Sequence, residues 1–196
     1  MTSITIATAG NPNCGKTTLF NALTGARQRV GNWPGVTVDR KEGRFLHKDT
    51  TVNVVDLPGT YSLGDGSEAG LDETIARDYI LSGEADIVLN IVDASNLERN
   101  LYLTAQLIEM QVPVIVALNM MDMAAENGLR IDCDKLASLL GCPVVPIIAR
   151  RGKGIDALKD AIILAADAAK APTARLSYQP EVEAAIAALS GPAAAL

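Results

Sequence analysis

The stretch that decides the fold of this chain is Gly10-Asn11-Pro12-Asn13-Cys14-Gly15-Lys16-Thr17. It fits the phosphate-binding pattern G-x-x-x-x-G-K-[ST] at every fixed position. The apolar residues 4–9 before it predict a strand, and residues 17–23 after it predict a helix, which is the context that the pattern requires. We therefore predict a loop whose backbone N–H groups, together with a helix N-terminus, bind a chain of phosphates.

The side chains of this loop have distinct expected roles. Lys16 is expected to neutralise the β- and γ-phosphates of a nucleotide, and the hydroxyl of Thr17 is expected to bind Mg²⁺. Thr18 follows in the helix and is expected to contribute to the same site. Cys14 is interpreted as a small residue that the loop tolerates. The three cysteines of the chain have no C-x-x-C spacing, so neither a disulfide framework nor a zinc site is predicted, and a reducing cytosol fits best.

Composition limits the possible functions. The chain has 196 residues, of which 48% are hydrophobic and 20% are charged, as expected of a globular domain with a substantial core. This length fits one domain of about 150–170 residues plus an additional segment. The net charge of −6 argues against a broad nucleic-acid surface, and we predict no nucleic-acid partner. No apolar run approaches the roughly 18 residues of a membrane-spanning helix, and no signal peptide is predicted.

Strand-like apolar segments alternate with helical patterns along the chain. The predicted strands are residues 4–9, 51–56, 86–92, 112–119 and 143–148, with residues 42–48 forming an antiparallel hairpin with the second of them. Ser95 and Glu98 have the spacing of a capping box before one helix, and further helices are predicted over residues 135–140 and 155–169. His47 is expected to be exposed on the hairpin turn. This order predicts an α/β fold with a mostly parallel six-stranded sheet, one antiparallel edge strand and helices on both faces.

Two long irregular segments, residues 26–40 and 57–72, lie beside the predicted phosphate loop and are predicted to be nucleotide-dependent switches. Residues 171–173 resemble a linker, and residues 180–189 have apolar residues at helical spacing. We predict a first domain over residues 1–170, followed over residues 171–196 by a linker and the first helix of a truncated helical module. The alternative is that this last helix packs on the core of the first domain.

A second motif follows a predicted strand. Asp56-Leu57-Pro58-Gly59 has D-x-x-G form, in which the Asp56 carboxylate can reach Mg²⁺ through water and the Gly59 N–H can detect a γ-phosphate. Between this motif and the phosphate loop lies the run Gly35-Val36-Thr37-Val38. Its Thr37 is the residue expected to close over the metal.

A third motif, Asn119-Met120-Met121-Asp122, has N-x-x-D form at the end of another predicted strand. The carboxylate of Asp122 can accept hydrogen bonds from N1–H and the exocyclic amine of guanine, whereas adenine has no N1 donor. In the run Ile148-Ala149-Arg150, the N–H of Ala149 is expected to meet the guanine carbonyl. The order of the three motifs predicts a Ras-like P-loop GTPase fold that binds GTP or GDP with Mg²⁺.

With these residues, the chain resembles the cytosolic G domain of the prokaryotic ferrous iron transport protein B (FeoB) family, from the first strand to about Ala171. The resemblance is carried by residues 10–21, 29–38, 56–63 and 92–101. The run Asn32-Trp33-Pro34-Gly35 separates this family from related GTPases of ribosome assembly and tRNA modification. The resemblance implies a helical spacer that joins the G domain to a membrane transport domain, at the cytoplasmic face of the inner membrane. It gives no oligomeric state.

The resemblance also implies activation by K⁺, bound by Asn13 and by the backbone carbonyls of Gly31 and Trp33. Thr60 and Tyr61 stand where related GTPases place a glutamine, so hydrolysis is expected to be slow unless K⁺ supplies charge. Trp33 is interpreted as a mobile, functional residue rather than a buried anchor. The residues expected to act in catalysis are Asn13, Lys16, Trp33, Thr37 and Gly59.

Other functions stay open at this point. The alternatives are a soluble GTPase acting on ribosomes or tRNA, a guanine-nucleotide sensor that does not hydrolyse GTP, and an ATPase. Direct iron binding is not predicted, because Glu68, Asp72 and Glu73 are interpreted as a solvated face.

Overall fold

The computed structural model describes residues 2–25, 28–64, 70–168, 171–174, 177–180 and 182–184. In this part of the chain, seven strands form one sheet in the order β2-β3-β4-β1-β5-β6-β7. The strands are β1 (Thr2–Gly10), β2 (Gln28–Asn32), β3 (Asp39–His47), β4 (Thr50–Asp56), β5 (Ile87–Asp93), β6 (Val114–Asn119) and β7 (Val144–Pro146). Strands β4, β1, β5, β6 and β7 are parallel, and β3 and β2 extend the sheet by antiparallel pairing.

Helices cover both faces of the sheet, as the sequence predicts. They are α1 (Lys16–Thr24), α2 (Leu71–Leu81), α3 (Leu97–Glu109), α4 (Met121–Glu126), α5 (Cys133–Leu140) and α6 (Ile155–Ala168). Successive residues of β1 point to opposite faces, so Ile6 joins a core with α1 and α6, while Ala7 joins a second core with α2 and α3. The central strand β5 is buried over residues 87–92 because both of its faces are covered.

The predicted count of six strands is wrong, because β2 lies in a segment predicted to be irregular. All five residues of β2 are exposed, so the strand has no alternation of apolar and polar side chains. Backbone pairing with β3 holds it, from Gln28 opposite Gly43 to Asn32 opposite Asp39. A strand of this kind leaves little signal in the sequence, because its stability comes from main-chain hydrogen bonds at the sheet edge.

Two local predictions are also wrong. Ser95 does not cap α3. Instead the Asp93 carboxylate accepts hydrogen bonds from the N–H and the hydroxyl of Ser95, at 2.8 and 2.7 Å, and closes a 3₁₀ turn before the helix. His47 is only 19% exposed, because its Nε2 lies 2.8 Å from an oxygen of Asp160 on α6. The hairpin turn is therefore fixed to the last helix of the core.

The C-terminal segment is described only in part. The N–H of Thr173 donates to the carbonyl of Gly141 at 3.1 Å, and Pro172 is buried, so this short stretch lies against the domain. Residues 180 and 182–184 are helical. The rest of the helix predicted over residues 180–189, the predicted boundary at residue 170 and Glu68 lie outside the described residues.

Candidate functional site

The predicted phosphate loop joins β1 to α1 at the carboxyl edge of the sheet. Two of its residues have left-handed backbone angles, Asn13 with φ of 68° and Gly15 with φ of 91°. A Cβ atom at Gly15 would overlap the side-chain amide of Asn119, and one at Gly10 would lie 2.8 Å from the carbonyl oxygen of Ile91. The pattern therefore has glycine where the backbone needs it, and a loop of this geometry turns main-chain N–H groups toward a bound anion.

The D-x-x-G motif lies directly beside this loop, because β4 is the neighbour of β1. The N–H of Leu57 donates to the carbonyl of Thr8 at 3.1 Å, and the N–H of Thr60 donates to the carbonyl of Gly10 at 3.3 Å. A Cβ atom at Gly59 would lie 3.7 Å from Pro12. Residues 56–60, including Pro58, thus lie along the phosphate loop as predicted.

A buried charge pair marks the centre of this region. The ammonium of Lys16 lies 2.7 Å from Oδ1 of Asp56, whose side chain is only 7% exposed. The hydroxyl of Thr8 donates to the same oxygen at 2.7 Å. These contacts satisfy a carboxylate that would be costly to bury alone. Thr8 is not among the residues predicted from the sequence, because a single threonine in an apolar strand gives no functional signal until its partner is known.

The residues present fit a bound Mg²⁺. The Asp56 carboxylate and the exposed hydroxyl-bearing residue Thr17 are hard oxygen donors, which Mg²⁺ prefers, with nucleotide phosphates completing its shell. Within the described ranges there is no group of three or more His, Cys, Asp or Glu side chains that could hold a metal ion without such a ligand. The donor set therefore suits a metal that binds together with phosphate.

Asn119 joins the phosphate loop to the loop after β7. Its side chain is 4% exposed. The amide nitrogen donates to the carbonyl of Cys14 at 3.0 Å, and the amide oxygen accepts from the N–H of Ala149 at 3.0 Å. Asn119 therefore uses both ends of its side chain to hold two predicted parts of the site together.

Asp122 lies at the start of α4, after Met120 with a left-handed φ of 60°. Its Oδ1 accepts from the N–H of Met123 at 3.1 Å, and its Oδ2 accepts from Nη2 and Nε of Arg150 at 2.6 and 3.2 Å. The hydrogen bond from Arg150 lowers the pKa of the Asp122 carboxyl below its ordinary value. The carboxylate is therefore ionised at neutral pH and is an acceptor on both oxygens.

The first predicted switch is ordered around Trp33. The indole is 5% exposed, makes an edge-to-face contact with Tyr79 at 5.3 Å between ring centroids, and lies 4.6 Å below the guanidinium of Arg40. The N–H of Val36 donates to the carbonyl of Trp33 at 3.2 Å and closes a turn that contains Gly35. In this structure the ring is therefore a buried anchor, contrary to the interpretation from the sequence, and a role of Trp33 in the nucleotide-bound switch stays a prediction.

Other residues of this switch form no hydrogen bond with the phosphate loop in the described part of the chain. Thr37 is exposed, and Gly31 is an exposed residue of β2 opposite Arg40. No hydrogen bond of the described residues joins positions 31–38 to positions 10–17. The structure therefore brings the three motifs together, and it leaves the predicted metal-closing and K⁺-binding groups of the switch outside their hydrogen-bonded network.

The comparison with known proteins agrees with this arrangement. Residues 4–162 match the family described as Ferrous iron transport protein B. The chain belongs to this family. The Fe(2+) transporter FeoB of Salmonella typhimurium (strain LT2) is 64% identical over 163 residues, which cover 83% of this chain and 21% of the relative. The chain thus spans about a fifth of the length of the curated FeoB relatives it matches.

Solved FeoB structures share the fold. The cytosolic domain of L. pneumophila FeoB is 49% identical with a TM-score of 0.85, covering 91% of this chain and 76% of that chain. A mutant S. thermophilus NFeoB bound to GDP is 48% identical with a TM-score of 0.80, covering 95% of this chain and 70% of that chain. The chain therefore has the Ras-like P-loop GTPase fold of the FeoB G domains. None of the helices in the described ranges has the length and hydrophobicity that a bilayer crossing requires.

Proposed function

We propose that this chain is the guanine-nucleotide-binding and GTP-hydrolysing domain of a bacterial Fe(II) transporter. The observation that carries the proposal is the pair of hydrogen bonds made by the Asn119 side chain. It donates to the carbonyl of Cys14 in the phosphate loop and accepts from the N–H of Ala149 in the loop after β7. These bonds hold the proposed phosphate-binding loop and the proposed base-reading loop next to each other, which supports a single nucleotide site. The GDP carried by the S. thermophilus relative supports the same class of ligand.

Asp122 selects the base in this proposal. Its ionised carboxylate accepts from N1–H and from the exocyclic amine of guanine. The N–H of Ala149, which donates to the Asn119 side chain at 3.0 Å, would be shared between that oxygen and the guanine carbonyl. Adenine presents an acceptor at N1, so its binding would place two acceptors, N1 and the carboxylate, against each other. Sites built around such pairing reject the wrong ligand by about 10⁴-fold or more.

Lys16, Thr17 and Asp56 bind the phosphates and the metal. In this structure the Lys16 ammonium lies 2.7 Å from Oδ1 of Asp56. When a nucleotide is bound, it neutralises the β- and γ-phosphates. The hydroxyl of Thr17 would bind Mg²⁺ and the carboxylate of Asp56 would reach it through water. When bound, the ion supplies positive charge to the phosphate oxygens. Gly59, which lies against Pro12 of the phosphate loop, offers its N–H to the γ-phosphate. Thr37 would close over the metal when GTP rearranges the first switch.

Hydrolysis is slow in this proposal because the two residues after the D-x-x-G motif contact other parts of the protein and do not position the attacking water. The hydroxyl of Thr60 donates to the carbonyl of Ser62 at 2.5 Å, and Thr60 is buried. The ring of Tyr61 lies 4.3 Å from the guanidinium of Arg99. Neither side chain is an effective general base at neutral pH.

Potassium compensates for the missing glutamine. The Asn13 side chain is exposed on the phosphate loop, and the carbonyls of Gly31 and Trp33 would complete the ligand set in the GTP-bound switch. When bound, K⁺ supplies positive charge near the β- and γ-phosphates, as an arginine finger does. The side chain of Asn13 and the two carbonyls would hold the ion if it binds there.

Single-turnover GTP hydrolysis in KCl and in NaCl at equal ionic strength tests the proposal. We expect hydrolysis to be at least about tenfold faster in KCl for the wild-type chain and for the exposed control Asn127→Ala, and equal in both salts for Asn13→Ala. Equal wild-type rates in the two salts would overturn the K⁺ proposal. Binding of GTP without hydrolysis in either salt would instead favour a nucleotide sensor, which the engaged Thr60 and Tyr61 also permit.

The wider role follows from the family. The curated relatives are Fe(2+) transporters about five times the length of the matched region, so we propose that this domain lies at the cytoplasmic face of the inner membrane and acts on a membrane transport domain. A GTP-dependent rearrangement of the two predicted switches would be passed on through the segment that follows the domain. The net charge of −6 supports a protein partner rather than RNA.

A further inference from the structure

The carboxylate that is proposed to read the base already has its acceptor sites largely filled. A carboxylate offers about four lone-pair directions, two on each oxygen. Oδ2 of Asp122 receives two donors from Arg150, at 2.6 and 3.2 Å, and Oδ1 receives one from Met123. Oδ1 therefore has room for one more donor, and Oδ2 has none.

Arg150 presents to Asp122 the same chemical group that guanine presents. The N1, C2, N2 and N3 atoms of guanine form a guanidine unit, which donates N1–H and an exocyclic N–H in the same direction. The guanidinium of Arg150 likewise points two N–H groups, Nε and Nη2, toward the carboxylate. Two forks of this kind cannot occupy Oδ2 together.

We propose that Arg150 is a built-in competitor of the guanine base for Asp122. The inference rests on the proposed base-reading role of Asp122 and adds a residue that sets the affinity and exchange rate of the nucleotide. Guanine binding displaces the Arg150 guanidinium from Oδ2, and Arg150 takes that oxygen again when the base departs.

The local structure allows this exchange. Arg150 lies in the 3₁₀ turn Ala149–Arg151, whose first residue is held by Asn119, while the Arg150 side chain is 56% exposed and can swing into solvent. The Asp122 side chain is only 10% exposed. Arg150 therefore keeps a largely covered carboxylate paired, and it can leave without moving the backbone of the loop after β7.

The size of the effect follows from the exposure of Arg150. Ion pairs at the surface contribute little, so removal of this competitor should lower the dissociation constant for GDP by about two- to fivefold and not by orders of magnitude. The gain should shrink in high salt because the ion pair is screened. If Arg150 only attracted the phosphates, its removal would instead raise the dissociation constant for GDP.

The test measures GDP binding by calorimetry and the association rate of ribose-labelled fluorescent GDP by stopped flow, with Mg²⁺ present. Arg150→Ala and Arg150→Gln should bind GDP more tightly and faster. Arg151→Ala is the charge-matched comparison, because its Nε lies 3.7 Å from the same oxygen, beyond hydrogen-bond range, and it should change the dissociation constant by less than about twofold. In the Asp122→Asn background, binding is measured with xanthosine diphosphate (XDP). There Arg150→Ala should not lower the dissociation constant.

One outcome would overturn the competition and leave the proposed function intact. In it, the wild-type chain binds GDP, and both Arg150 variants bind GDP equally well or more weakly. A gain that persists equally in the Asp122→Asn background would also overturn the competition, because Arg150 would then act without the carboxylate. Failure of the wild-type chain to bind GDP would overturn the proposed function, and the competition with it.

Discussion

Replacing Asn119 by alanine removes both hydrogen bonds by which its side chain joins the phosphate loop to the loop after β7. The side chain is buried, and its loss leaves the carbonyl of Cys14 and the N–H of Ala149 without their partners at 3.0 Å. An unsatisfied buried polar group costs about 1–3 kcal/mol. We therefore expect Asn119→Ala to lower the free energy of unfolding by about 2–5 kcal/mol and the melting temperature by about 5–15 °C.

Urea denaturation without nucleotide, followed by circular dichroism, measures this loss separately from any effect on binding. The matched control is Asn127→Ala, an exposed asparagine at the end of α4, which should stay within about 0.5 kcal/mol of the wild type. A loss below about 1 kcal/mol for Asn119→Ala would refute the reasoning, because the two hydrogen bonds could not then hold the loops together.

Two further predictions concern titratable groups. Burial raises the pKa of the Cys14 thiol to about 11 and that of Cys142 to about 11, so iodoacetamide at pH 8 should label the half-buried Cys133 first and the other two only after unfolding. Peptide mass spectrometry would contradict this if Cys14 reacted as fast as Cys133. Lys48 and His47 lower the pKa of Asp160, so its contribution to stability is complete well above pH 3.8 and is lost as the pH falls through the lower folded value. Asp160→Asn should therefore lower the melting temperature by a few degrees at most at pH 7, and a difference that grew as the pH fell below 3.8 would have the wrong sign.

The site was largely predictable from the sequence because each motif is local and follows a strand. Parallel strands bring their carboxyl ends to one edge of the sheet, so Lys16, Asp56 and Asn119 were expected together once their strands were known. The structure adds how they are joined, which depends on partners far apart in the chain. Thr8 was missed for this reason, since its role is defined by a hydrogen bond to Asp56.

The edge of the sheet could not be predicted in the same way. β2 is held by backbone pairing, which the side-chain pattern of Gln28–Asn32 does not reveal. The burial of Trp33 depends on Tyr79 in α2 and on Arg40 in β3, and no short-range pattern specifies that three-residue contact. Glycine and proline around Trp33 indicated a loop correctly, but they carried no information about what the ring packs against.

The central claim is that Asp122 reads the guanine edge while the loop at residues 10–17 binds the phosphates. Calorimetry with GDP, ADP and XDP in the presence of Mg²⁺, on the wild-type chain and on Asp122→Asn, tests it most directly. The wild-type chain should bind GDP and reject ADP, and Asp122→Asn should prefer XDP, because an amide can donate to the C2 carbonyl of xanthine. Undiminished GDP binding by Asp122→Asn, or no GDP binding by the wild-type chain, would contradict the claim.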